Sequence, residues 1–130
     1  MEIDHLDHLV LTVRNCQATC EFYTQVLGME LVIFGGDRLA LRFGRQKINL
    51  HEYGRSHRPH AQTPTPGSQD LCLITRTPLA EVKAHLEHCQ IPIEEGIVTR
   101  TGAEGAIASL YIRDPDGNLI ELSNPIVNPA

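Results

Sequence analysis

Four side chains in this sequence have the types and the placement to bind a divalent cation: His8, His51, Asp70 and Glu121. His8 opens the run "HLVLTV" and Asp70 opens "DLCLIT", while His51 lies in "KINLHE" and Glu121 in "GNLIEL". Such short apolar runs have the composition of buried or half-buried strands. An ionised carboxylate in the middle of one is costly unless something compensates it, so Glu121 calls for a partner. Two imidazoles with one or two carboxylates suit a borderline divalent ion and leave a coordination position open for chemistry.

Each residue also has an ordinary alternative. His8 alone could be a hydrogen-bonded rim residue, and His51, beside Glu52, a surface residue at a strand end. Glu121 could pair with Arg113 or Arg42, and Asp70 could close the turn "GSQD". His5, His57, His60, His85 and His88 lie at the chain start, in a polar segment or on a helix, where they read as bystanders. Cys16, Cys20, Cys72 and Cys89 form no C-x-x-C and read as free thiols of a cytoplasmic protein.

The elements that must position these residues repeat one plan. Leu6–Val13 reads as a strand, Asn15 as the cap of a helix carrying Thr19, Cys20, Tyr23, Val26 and Leu27, and Gly28 as its stop. Strands follow at Leu31–Phe34, Leu39–Phe43 and Lys47–Tyr53, the first two joined by a turn at Gly35-Gly36-Asp37. The polar, Pro-containing stretch 55–68 is a linker. The plan then restarts: a strand at Leu71–Thr75, a helix with Thr77 as N-cap and Leu79, Val82, Leu86 and Cys89 as its apolar stripe, and strands at Ile97–Thr99, Ala108–Ile112 and Leu119–Ser123. Asp114-Pro-Asp-Gly117 is the turn before the last. The fold class expected is α+β, two βαβββ modules (about 3–54 and 69–124) in one domain over 3–124, its strands curving around a cleft. Because strand residues alternate faces, Leu6, His8, Val10 and Thr12 share one, as do Asn49, His51 and Tyr53, then Asp70 and Cys72, then Leu119, Glu121 and Ser123. Each module thus offers one metal-competent residue from its first strand and one from its last.

The 130 residues carry a net charge of −5 and no basic run that could track a phosphate backbone, which argues against nucleic acid as a partner. Hydrophobic residues at 42% suit a globular chain, but no apolar run is long enough to cross a membrane, and the N-terminus does not read as a signal peptide.

"LDHLVLTV", "CEFYTQVLGMELV" and "RDPDGNLIELSN" together resemble the vicinal oxygen chelate superfamily, which groups glyoxalases, extradiol dioxygenases and bleomycin-resistance proteins. "KINLHE", "PGSQDLCLIT" and "PIEEGIVTRTGAEG" are similar to its branch of glyoxalase-domain-containing protein 5 and bacterial virulence-associated proteins. The resemblance implies a cup-shaped cleft, commonly completed by a second subunit in a homodimer, with a divalent metal at its floor. It matches His8 and Glu121 to metal ligands, places His51 where glyoxalase I has Glu, and places Asp70 where His is usual.

Three functions follow as expectations. In a glyoxalase-type lyase or isomerase, a metal (Ni, Co, Zn, Mn or Fe) would hold adjacent oxygens of a small substrate while Glu121, or Asp70, removes a proton. Arg100, Arg42 and Tyr53 are the candidates for contacting that substrate. In an Fe(II) extradiol-type dioxygenase, His8, His51 and Glu121 would form the two-His, one-carboxylate triad, with Tyr53 or Tyr111 for acid–base work. A metal-free binding module would need an aromatic-lined groove, and aromatics are only 5% with no Trp.

Overall fold

Asn15 caps the first helix as its position suggests, its Oδ1 accepting from the Ala18 N–H at 2.9 Å. In the computed structural model, which describes residues 1–127, this helix is α1 (Cys16–Glu21), running on into a π-helical segment, Phe22–Val26. Gly28, at φ +72°, ends it, with the Gly28 N–H bonded to Thr24 O and the Met29 N–H to Tyr23 O.

The chain divides into two compact units, residues 1–68 and a second beginning at Gln69. The first contains β1 (His8–Val13), α1, β2 (Glu30–Phe34), β3 (Arg38–Phe43) and β4 (Gln46–Glu52), in a sheet ordered β1-β4-β3-β2. The second contains β5 (Asp70–Ile74), α2 (Leu79–His88), β6 (Glu95–Gly102), β7 (Gly105–Arg113) and β8 (Leu119–Pro125), ordered β5-β8-β7-β6. In each, the first and last strands pair in parallel and the rest are antiparallel. The expected α+β fold of two βαβββ modules is what forms, each with its own four-stranded sheet.

One sheet face of each unit is apolar. In the first, Leu11, Val13, Leu41, Ile48 and Leu50 are buried on the face opposite His51, together with Tyr23 from the π-helical segment. In the second, Leu110, Ile112, Ile120 and Leu122 are buried along with Leu79 and Leu86 of α2. Fully burying one such side chain contributes about 1.5–3 kcal/mol. The other face carries the polar residues.

Three details depart from the sequence expectations. Thr77 does not cap α2: its own N–H bonds to Thr75 Oγ1, and Asn124 Oδ1, from β8, accepts the Leu79 N–H at 2.9 Å. Asn124 also donates to the carbonyls of Thr75 and Thr77, tying the β5–α2 connection to the last strand. The short strand expected at Ile97–Thr99 is the longer β6, with a register shift between Gly96 and Val98 that leaves Ile97 unpaired. The turn at Asp114 is a buried lattice as well as a link. Asp114 Oδ1 accepts from the Asp116 and Asn118 N–H groups, Asn118 Nδ2 donates to Asp114 Oδ2, and Asn118 Oδ1 accepts from the Gln69 N–H. That last bond delivers the chain from the linker into β5, alongside β8.

Candidate functional site

In the first unit, the parallel pairing sets His8 against Lys47, Val10 against Asn49 and Thr12 against His51, so all six project to one face. His51 is only 3% exposed, and neither of its ring nitrogens has a hydrogen-bond partner. Asn49 Oδ1 is likewise buried and unpartnered. A buried polar group left unsatisfied costs about 1–3 kcal/mol, which makes these atoms candidates for contact with a bound species. Burial, reinforced by the nearby His57, Arg38 and His60, holds the His51 imidazole below its ordinary value of 6.5. A neutral imidazole is the form that can ligate a metal. The His57 ring stands edge-on to it, with centroids 5.3 Å apart.

His8 is exposed and its Nδ1 lies 2.8 Å from Asp7 Oδ1. A carboxylate can only accept there, so Nδ1 donates and, in a neutral ring, Nε2 is the nitrogen with the lone pair. A carboxylate on one ring nitrogen fixes the orientation of an imidazole and of its other nitrogen. The same hydrogen bond holds the Asp7 carboxyl below its ordinary range.

In the second unit, Cys72, Glu121, Tyr111 and Glu95 form one continuous row across β5, β8, β7 and β6. Ser109 and Ser123 face each other in the next row, both fully buried. Ser109 Oγ donates to Glu121 Oε2 at 2.6 Å, the Ser109 and Ser123 hydroxyls are 2.7 Å apart, and Cys72 Sγ lies 3.4 Å from Ser123 Oγ. Neither suggested arginine partners Glu121. Arg113 makes a two-pronged pair with Glu94, 3.0 Å on each arm, and Arg42 stands in register with Glu30. The carboxylate is compensated by hydroxyls instead. Burial raises the Cys72 thiol, and the Glu121 charge raises it further, so Cys72 stays protonated.

Thus His8 and His51 share one face in the first unit, and Asp70 and Glu121 share one in the second. Asp70 is exposed at the start of β5, and Tyr53 is 61% exposed just past β4. Arg100 donates through Nε to the Tyr111 hydroxyl at 3.0 Å and pairs with Glu95 at 3.2 Å, which engages its guanidinium within the second unit. Among the described residues, no three His, Cys, Asp or Glu side chains group closely enough to hold a metal ion.

The duplicated modules thus carry histidines on the polar sheet face of one and a carboxylate on that of the other. The family model for the glyoxalase/bleomycin resistance protein/dioxygenase superfamily matches residues 5–122. The chain belongs to that superfamily. It is 55% identical over 123 residues to virulence protein STM3117 of Salmonella typhimurium, covering 95% of this chain and 85% of that protein. The crystal structure of that relative superposes with a TM-score of 0.96, covering 97% of this chain and all of the other at 54% identity. The glyoxalase domain-containing protein RDO1 of Mycosarcoma maydis is 51% identical over 124 residues, 95% of this chain and 70% of that protein. A lactoylglutathione lyase from Agrobacterium tumefaciens is 27% identical with a TM-score of 0.72, covering 95% and 96% of the two chains.

Three polar residues were not among the candidate site residues named from the sequence: Asn49, Ser109 and Ser123. By register, Asn49 opposes Val10 and Glu121 opposes Cys72, in each case the third residue of the unit's first strand. Asn49 therefore stands at the strand position that Glu121 holds in the other module, and His51 lies two residues farther along the same face. The signal for Asn49 was its alternation with His51. Ser109 gave none, because "AIASLYI" reads as strand filler until β7 is paired with β8.

Proposed function

We propose that this chain is a metal-dependent lyase or isomerase of glyoxalase type, acting as a homodimer on a small substrate with adjacent oxygens. His8, His51 and Glu121 hold a divalent ion, with Asp70 as a further contact and Glu121 as the base. The observation that carries this reading is the His51 imidazole: buried, held neutral, and without a partner on either nitrogen. The donor set supports it as well, since Asp7 leaves His8 Nε2 free to ligate. When bound, the ion supplies Lewis acidity toward two neighbouring substrate oxygens. Glu121 Oε2 is held by Ser109, which leaves Oε1 to take a proton from the carbon beside a substrate carbonyl. In this reading a second copy completes the site, bringing His8 and His51 of one chain to Glu121 and Asp70 of the other. A protein named lactoylglutathione lyase among the structural relatives agrees with this class of reaction.

The test is elemental analysis of untagged protein purified without chelator, with His51→Ala and Glu121→Ala in parallel. About one metal per chain is expected in the parent and little in either variant. Loss of methylglyoxal–glutathione hemithioacetal should accompany Ni, Co or Zn. Iron with oxygen uptake on catechols would reassign the chain to the dioxygenases. No metal after reloading would leave a metal-free binding module.

A further inference from the structure

The polar face of the first unit carries Lys47, Arg38 and Arg42. Lys47 Nζ sits 3.7 Å from the centre of the Phe34 ring, and Arg38 Cζ sits 4.8 Å from the same centre. Two cations sharing one aromatic ring repel one another. Among the described residues neither has a carboxylate within ion-pair distance. Arg42 is on this face too, but it has Glu30 directly across the β2–β3 pair. Phe34 opposes Arg38 in register, and Arg38 is one pleat repeat from Ala40, the register partner of Asn49. Lys47 is one pleat repeat from Asn49 and two from His51 on β4.

The cationic pair therefore borders the buried, unpartnered atoms of Asn49 and His51. Asn49 Oδ1 can only accept, while the His51 ring carries at least one N–H donor. The complement of this surface is a ligand with an anionic head for the cations and a hydroxyl beside it for the buried amide and imidazole. Arg100, the arginine that the sequence suggested for an anion, is occupied by Tyr111 and Glu95.

We infer that the substrate of this site is a small hydroxylated acid whose anionic group is held by Lys47 and Arg38 against Phe34, with a neighbouring oxygen on His51 and Asn49. The inference rests on reading this face as the substrate site, and it names the charge class of the substrate. Its ligand-binding half does not require the metal.

The experiment follows the His51 ring resonances by NMR in metal-stripped, 15N-labelled protein during titration with glycerate, glycerol 3-phosphate and glycerol. These three probes share a carbon skeleton and differ in the head group. Either acid should shift His51 saturably and bind about tenfold or more tighter than glycerol, because charge-assisted hydrogen bonds are roughly twice as strong as neutral ones. The stronger of the two acids identifies carboxylate or phosphate as the head group. Lys47→Met and Arg38→Met should each weaken that acid by about tenfold with an unchanged amide spectrum elsewhere, whereas Arg100→Met should leave it alone. An equal response to glycerol, no saturable response to any probe, or a Lys47→Met/Arg38→Met double variant that binds as the parent does would each overturn the inference. The metal content of the same preparation before stripping is scored separately. Acid binding without metal would defeat the metal reading alone, and metal without head-group discrimination would defeat this inference alone.

Discussion

Ser109 and Glu121 stand on adjacent strands with hydroxyl and carboxylate 2.6 Å apart, and the serine is completely buried. The bond fixes one oxygen of the carboxylate and compensates its charge without a cation, so the group remains available to an ion or a proton. Ser123 braces the pair from the side at 2.7 Å from Ser109.

Removing that brace has a defined consequence. Ser109→Ala should weaken metal affinity about 10–100-fold, the usual effect of losing a hydrogen bond to a ligating group. Glu121 would keep only the longer 3.5 Å bond from Ser123, and losing the short one should cost about 1–3 kcal/mol of stability. Metal titration and urea denaturation read the two effects separately, and Ser109→Thr, which keeps the hydroxyl, should recover most of the affinity.

The proposed assembly of the site from two copies predicts complementation. His51→Ala and Glu121→Ala are each expected to be inactive. After mixing and subunit exchange, about half of the dimers are mixed, and one of the two sites in each mixed dimer is intact, so about one quarter of the parental activity should return. A site built within one chain would give no recovery, and size-exclusion chromatography with light scattering checks the dimer itself.

The depressed His51 value gives a pH dependence with a definite sign. The unfolded chain takes up a proton at His51 below 6.5, whereas the buried imidazole in the native protein resists it. The unfolded state binds more protons in that window, so stability falls as pH drops below 6.5, until the native imidazole also titrates. Asp7 acts in a lower window. Its stabilising contribution is present above its ordinary value of 3.8 and is lost as pH falls through the depressed native value. Urea midpoints of the metal-free protein between about pH 8 and 5 should decline on the acid side, and His51→Gln should remove most of that decline.

The Asp114–Asn118 lattice is a stability element outside the site. Asn118→Ala removes the acceptor of the Gln69 N–H and one donor to Asp114, and the unsatisfied N–H alone should cost about 1–3 kcal/mol if no water replaces the amide. A thermal midpoint several degrees below the parent, with unchanged metal content, is the expected result.

Much of this was legible in the sequence because it is local. Asn15 announces a cap, Gly28 a stop, and alternation along "KINLHE" puts Asn49 and His51 on one face before any pairing is known. What was not legible depends on which strands become neighbours. The acceptor that caps α2 is Asn124, some 45 residues away, so Thr77, the local candidate, was the wrong choice. The compensation of Glu121 comes from β7, and only the β7–β8 register makes Ser109 its neighbour. Arg113 was a reasonable partner by sequence distance, yet β7 turns it toward Glu94, where two hydrogen bonds hold it.

The bulge in β6 is the last such non-local feature, and it sets which face Arg100 takes. Leaving Ile97 unpaired shifts every later residue of the strand by one, so Arg100 falls opposite Ile107 on the face of Tyr111 and reaches its hydroxyl. Without the shift, Arg100 would point to the apolar face. Gly96 makes the shift possible. Its φ is +126°, and a Cβ there would lie 2.7 Å from Leu110 Cα and 2.8 Å from Ser109 O, both backbone atoms with little freedom to move. Gly96→Ala should therefore destabilise the protein by about 1–3 kcal/mol through strain and overpacking. It should also disturb Ser109, and through it Glu121. The expected outcome is a lower urea midpoint together with loss of the protected Arg100 Nε–H resonance and a fall in metal affinity. Retention of all three would show that β6 pairs equally well without its glycine.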